Sequence, residues 1–413
     1  MDRARGARPA GFVPPGDGYR ARAVLRVHAS VGRPARAPAS RRPAVRLAAC
    51  ALLALASASA GEPATGSLAG RRTAGSLAAG RAAPAWPARS LVVESPNVSS
   101  QVLSGGYLFT SVSQTPRLRG PFLLERTSLE TGVVRRGPRF SLDALAVAAG
   151  RVWLFPSCVR QPRLVEVDPR RLAVVRAVRL PTGSDPCAGV ALATGPDGSV
   201  WIGSSRTLLR IDAATGATLA HITLPARLRT GQVAVDPSGR SLYVSAAHAA
   251  DGGIAGAELF EYDAVSGRLL AHASRGPIAF STAGAALTAV PGGVWASFNT
   301  GNLGVTIHLR QRDLALVAPP GLGVFTDGGR LFHWAMWGET VYGGGALWLA
   351  NQGRFVACID AQTGKVRAST RLPPSLEPDL LGVDAAAQRL YILDGSGQPR
   401  HVVELTPPRR CRR

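Results

Sequence analysis

A single lysine stands among the 48 basic residues, and the 413-residue chain holds only 2 Met, 5 Cys and 6% aromatic residues. No uninterrupted apolar run approaches the roughly 20 residues of a membrane-spanning helix, which excludes a multi-pass membrane protein. CxxCH, HExxH, a nucleophile elbow and a phosphate-cradling glycine loop are all missing, so nothing calls for haem attachment, zincin, hydrolase-elbow or P-loop chemistry. Charged residues are scarce at 18%, whereas hydrophobic residues reach 46%. That is ample for a core and excludes disorder throughout.

The net charge of +22 looks like a nucleic-acid signature until it is divided along the chain. Residues 1–60 carry 11 Arg against 2 Asp, and the last five residues carry 4 Arg without an acid. Residues 94–408 hold 28 Arg and 1 Lys against 23 acids, a mild and well-mixed excess. A nucleic-acid surface wants a basic stripe interleaved with stacking aromatics, so no nucleic-acid partner is expected.

Within the basic extension 1–60, residues 40–60 have the three parts of a secretory leader: Arg41, Arg42 and Arg46, then the apolar core Leu47 to Leu55, then Ala58-Ser59-Ala60 as a small-residue cleavage site. Ser40-Arg41-Arg42 also resembles a twin-arginine signal, with Ala44 in place of its usual Phe. The letters Leu47 to Cys50 match a lipoprotein box, but the apolar core follows the cysteine instead of preceding it. The expectation is export to the extracellular space or cell wall, without lipid anchoring and with no transmembrane segment in the mature chain. Residues 61–89, rich in Gly, Ala, Pro and Arg, are expected to form a flexible linker.

Everything after residue 90 is organised by a repeat. A short strand with an aromatic anchor recurs at Phe109, Trp153, Trp201, Tyr243, Trp295, Trp348 and Tyr391, spaced 42 to 53 residues apart. A second strand ending in Asp and a Thr-Gly or Ser-Gly turn follows most anchors, as in "LLRIDAATG", and a third strand closes near Leu-Pro. Each repeat predicts a four-stranded antiparallel sheet too thin to bury both faces alone. Radial stacking buries them, with the anchor filling the gap between neighbours. The expected fold is all-β: a seven-bladed β-propeller over 90–408, seven being preferred to six or eight. The segment Ser90 to Ser95 is expected to close the ring by pairing with the last blade, ahead of a basic tail at 409–413.

The stretch "VWIGSSRTLLRIDAATGATLAHITLP" resembles the repeats of YVTN and virginiamycin B lyase-like propellers, kin to quinoprotein-type repeats. The resemblance spans residues 90–408 and implies the propeller fold, with a lyase or hydrolase acting on an ester or lactone as one possible activity. No Trp follows the turn glycines as in quinone-docking repeats, so no cofactor is expected.

Asp168, Asp212, Asp263 and Asp360 sit once per repeat and are expected to cap turns rather than to catalyse. Cys158 and Cys187 lie in segments that the topology brings to one face of adjacent blades, which predicts a disulfide. Cys358 is expected to be a buried small apolar residue, and Cys411 either an exposed thiol or a pairing partner. The segment "RLFHWAMWGETVY" concentrates His333, Trp334, Trp337 and Glu339 on the same face as His248 and Asn299. It is expected either to plug the channel or to line a site for a small molecule, glycan or protein segment. His333 and Glu339 are the catalytic candidates if the chain is an enzyme, no metal site is expected, and a monomer is.

Overall fold

The computed structural model describes residues 86–411, apart from 94–97, 114–121, 141, 157–162, 181–189, 249–256, 275–285, 300–303, 318–324, 328–329, 333–338, 352–354, 374–375, 377, 385–387 and 395–399. Alternating apolar residues and tight turns produce strands throughout. β1 (Ala88–Val93) leads into blade one, built from β2 (Val98–Ser104), β3 (Tyr107–Ser113), β4 (Phe122–Ser128) and β5 (Val134–Phe140). Blade two comprises β6 (Leu142–Ala148), β7 (Arg151–Pro156), β8 (Arg163–Val167) and β9 (Val174–Arg179). Blade three holds β10 (Val190–Thr194), β11 (Ser199–Ser204), β12 (Thr207–Asp212) and β13 (Thr218–Thr223). Blade four holds β14 (Leu228–Val235), β15 (Ser241–His248), β16 (Ala257–Asp263) and β17 (Leu269–Ala273).

Blade five consists of β18 (Ala286–Val290), β19 (Gly293–Asn299) and β20 (Gly304–Arg310). Among the described residues, a bridge between Leu309 and Leu316 stands where its fourth strand belongs. A hairpin of β21 (Phe325–Asp327) and β22 (Arg330–Phe332) precedes blade six, which is β23 (Glu339–Gly343), β24 (Ala346–Asn351), β25 (Phe355–Ile359) and β26 (Val366–Arg371). Blade seven takes β27 (Pro378–Asp384), β28 (Arg389–Asp394) and β29 (Arg400–Leu405), and its fourth strand is β1. β1 pairs antiparallel with β29 from Ala88 opposite Leu405 to Val93 opposite Arg400. The closing strand therefore starts two residues before the predicted Ser90, and the predicted partner is the observed one.

The ring closes on itself. β2, β6, β10, β14, β18, β23 and β27 each touch the next in order, and β27 returns to β2. Seven apolar clusters fill the junctions, one between each pair of neighbouring blades. Every anchor lies in the junction toward the following blade: Phe109 toward blade two, Trp153 toward three, and so on to Tyr391 toward one. All seven anchors are buried. Fully burying a side chain of this size contributes several kcal/mol, which is why one aromatic per repeat suffices to set the period.

The turn aspartates do what their spacing predicts. Oδ1 of Asp212 accepts the N–H groups of Ala214 and Thr215, and Asp168, Asp263 and Asp360 repeat the pattern. Gly216, Gly267 and Gly364 close these turns at φ near +70°, where glycine carries no Cβ penalty. Blade two has Leu172 at that position with φ +56°.

The C-terminus corrects one expectation. Cys358 is buried, but as half of a disulfide with Cys411, Cα to Cα 5.9 Å. Cys411 ends a single 3-10 turn, Arg409–Cys411, packed against β26. Cys411 is thus the pairing partner rather than the exposed thiol, and Cys358, within β25 as expected, is its partner rather than a small apolar residue, the two lying 53 residues apart in sequence.

Candidate functional site

The up-and-down topology sorts connections by face. Links between the first and second strands and between the third and fourth are tight turns, all on one face. Links between second and third strands, and from blade to blade, leave from the opposite face and range from one residue, at 141, and two, at 205–206, up to the longest in the ring; those from His248 to Ala257 and from Ala273 to Ala286 are long examples.

His333, Trp334 and Trp337 lie outside the described residues, as do Cys158 and Cys187. Glu339 opens β23 opposite Ala350, and Asn299 ends β19 opposite Gly304. Only His248 has a described side chain among the candidates. It ends β15 on the long-connection face, with its imidazole half-exposed.

His248 is not alone there. Its Nε2 lies 3.0 Å from Oε1 of Glu258, and Nε2 of His272 lies 2.6 Å from Oε2 of the same carboxylate. Arg227 also reaches Oε1, at 3.3 Å. Glu258 is 2% exposed, whereas both imidazoles keep about a third of their side-chain surface in solvent. The ring of His272 stacks on Phe260 with centroids 4.5 Å apart and planes 7° from parallel. A buried carboxylate thus fixes two imidazoles by their Nε2 atoms and leaves Nδ1 of each as the remaining polar edge, an arrangement suited to hydrogen bonding or proton transfer. Among the described residues, no group of three His, Cys, Asp or Glu side chains is arranged to hold a metal ion.

The sequence placed His248 on this face but gave no sign of Glu258. The signal was register. Glu258 faces Ala246 across β15 and β16, and His272 faces Phe260 across β16 and β17, so all three side chains meet only once the strands are aligned.

Register exposes a second regularity. The residues opposite the seven anchors are Arg126, Glu166, Arg210, Glu261, His308, Cys358 and Glu404. These positions carry the chemistry of the blade junctions. Arg126 donates to the carbonyls of Pro169 and Arg170 in the next blade, and Glu261 accepts the N–H of Arg312 in the next blade. Glu166 binds Arg151 and Arg176, and Arg176 passes on to the carbonyl of Ala213. Burial pushes the Glu261 carboxyl above the ordinary carboxylate range and the His308 imidazole below its ordinary value, because each charged form would be desolvated. His308 instead lies flat on Trp295, centroids 4.9 Å apart and 2° from parallel.

These features define a β-propeller, the class to which the ring, the anchors and the strand closure all point. No family model matches the chain and no curated protein does. Among solved structures it is similar to the WD40 domain of Pan2 from Neurospora crassa, with a TM-score of 0.54 and 9% identity over 79% of this chain and 98% of that one. BamB from Moraxella catarrhalis matches with a TM-score of 0.47 and 14% identity, over 75% of this chain and 85% of that one. At 9% identity the first of these likenesses speaks for the fold alone. No helix among the described residues is long and apolar enough to cross a membrane.

Proposed function

We propose that this chain is an exported β-propeller binding or scaffolding protein of the YVTN-like kind, holding a small molecule, glycan or protein segment on its long-connection face. The observation that carries the reading is the division of labour between the faces. One is made of turns whose aspartates are committed to capping bonds, and the other gathers the longest connections together with the exposed edges of His248 and His272. A rigid ring presenting variable connections is the usual architecture of recognition on loops. His333, Trp334, Trp337, Glu339 and Asn299 belong to this proposed surface, and Cys158–Cys187 to its proposed crosslinking.

The test is binding of the secreted protein to a glycan array, with Trp334→Ala, Trp337→Ala and His248→Ala as comparisons. Signal that survives all three substitutions places recognition elsewhere. Export has its own test: removal of residues 40–60 should leave the protein inside the cell, and its appearance in the medium regardless would refute the leader.

A second reading, a virginiamycin B lyase-like lyase or hydrolase, draws on the two imidazoles fixed by Glu258. It requires turnover of an ester or lactone that His333→Ala or Glu339→Ala abolishes while binding persists.

A further inference from the structure

On the tight-turn face, blades four and five enclose a groove of about 760 Å³, within the range of small-molecule sites. Three exposed arginines line it, Arg240, Arg268 and Arg312, and none forms an ion pair within 4 Å among the described residues.

The acids of the groove are turned to other work. Oδ1 of Asp236 accepts the N–H groups of Arg240 and Ser241, and its Oδ2 accepts the Ser238 hydroxyl. Oδ1 of Asp263 accepts two backbone N–H groups and the Ser266 hydroxyl. Beneath them the buried Glu261 accepts the Ser241 hydroxyl at 2.7 Å and the Arg312 N–H at 2.6 Å. Carboxylates are therefore committed to the walls and floor, while the three arginine residues stay exposed, Arg268 and Arg312 near enough to favour the charged forms of Asp263 and Glu261.

Arg312 adds an independent observation. Its φ is +76°, in the left-handed region where a side chain is strained, and the corresponding Arg170, Ala214, Val265 and Gln362 in other blades are not in that region. The backbone contact to Glu261 needs only an N–H, which glycine also has. The turn departs from the repeat in other ways: Arg310 replaces the capping Asp and pairs with Asp313.

We propose that this groove binds a small organic polyanion bearing two or more carboxylate or phosphate groups, which the guanidinium groups of Arg240, Arg268 and Arg312 bridge. Planar guanidinium forks match both oxyanions, and the apolar sides of Val265, Leu270 and Pro291 suit an organic body between them.

The proposal is tested by calorimetric titration of the full chain with citrate and, separately, fructose 1,6-bisphosphate, with fructose as the neutral control. Saturable, salt-sensitive binding of one anion but not of fructose is expected, and which anion binds assigns carboxylate or phosphate. The Arg240→Gln/Arg268→Gln double variant should weaken it about tenfold or more. Arg312→Gly should weaken binding while leaving the thermal midpoint unchanged or higher, since glycine relieves the left-handed strain and keeps the N–H to Glu261. Binding of neither anion, or equal affinity in the variants, overturns the proposal. The reading of the opposite face is untouched by either outcome.

Discussion

The four turn aspartates concentrate much of the polar chemistry of the fold in single side chains. Asp168, Asp212 and Asp263 are held below the ordinary carboxylate range chiefly by backbone N–H groups, and Asp360 chiefly by Arg367. A depressed folded-state pKa means stability that is fully present above the unfolded value of about 3.9 and is lost as pH falls through the folded value. Glu261 works in the opposite sense, because its raised pKa lets the folded state take up a proton before the unfolded chain does. The aspartates outnumber it, so the urea midpoint should fall on acidification from neutral pH to pH 3. Asp212→Asn should flatten that slope, since the amide oxygen still accepts the turn N–H groups but no longer titrates. An unchanged slope in the variant would assign the acid sensitivity to other groups. Cys411 offers the other single-residue test. A crosslink spanning 53 residues contributes about 4 kcal/mol in the chain-entropy model. Cys411→Ser should therefore lower the thermal midpoint under non-reducing conditions, and reducing the parent should lower it at least as far, any further fall on reducing the variant reporting the proposed Cys158–Cys187 crosslink.

At the scale of the strand, β1 decides whether blade seven has its fourth strand and whether the edge of β29 is covered. Its six residues pair in register with β29, and Leu91 packs beside Tyr391 and Leu108 at the junction of blades seven and one. A chain lacking residues 1–93 would expose both the β29 ladder and that apolar junction. It is expected to aggregate or to elute as oligomers in size-exclusion chromatography, whereas removal of residues 1–85 should leave a soluble ring. The strands were legible because each repeats one pattern: an aromatic on the second strand and an Asp turn after the third. Blade five resisted that reading where Arg310 and Leu314 replace the Asp and Gly of the turn, and there, among the described residues, one bridge stands in place of the fourth strand. The candidate site was less legible for a different reason. Glu258, Glu261 and His308 look like ordinary strand residues until the aligned strands bring them within reach of His272, Ser241 and Trp295, and alignment is a property of pairs.

For the ring as a whole, stability depends on closure, because each blade meets only its two neighbours. The first and last described segments, at Trp86 and Cys411, meet at one junction. Trp86, just before β1, packs edge-on against Trp348 at 6.3 Å, and Cys411 joins Cys358 in the same apolar cluster between blades six and seven. Two elements that secure one closed ring at one junction should not act independently. Once either is lost, the junction loosens and the other has less native structure left to hold. Trp86→Ala and Cys411→Ser are therefore expected to be non-additive, with a coupling of about 0.5–3 kcal/mol in a double-mutant cycle. Trp153→Phe, in the junction between blades two and three, supplies the contrast. It should cost stability on its own, and its effect should add to that of Cys411→Ser within about 0.5 kcal/mol, as distant sites do. Denaturant midpoints of the five variants and the parent decide the matter. Equal coupling at both junctions would mean that the ring transmits strain all the way round, and additivity at both would mean that the two segments are fastened separately.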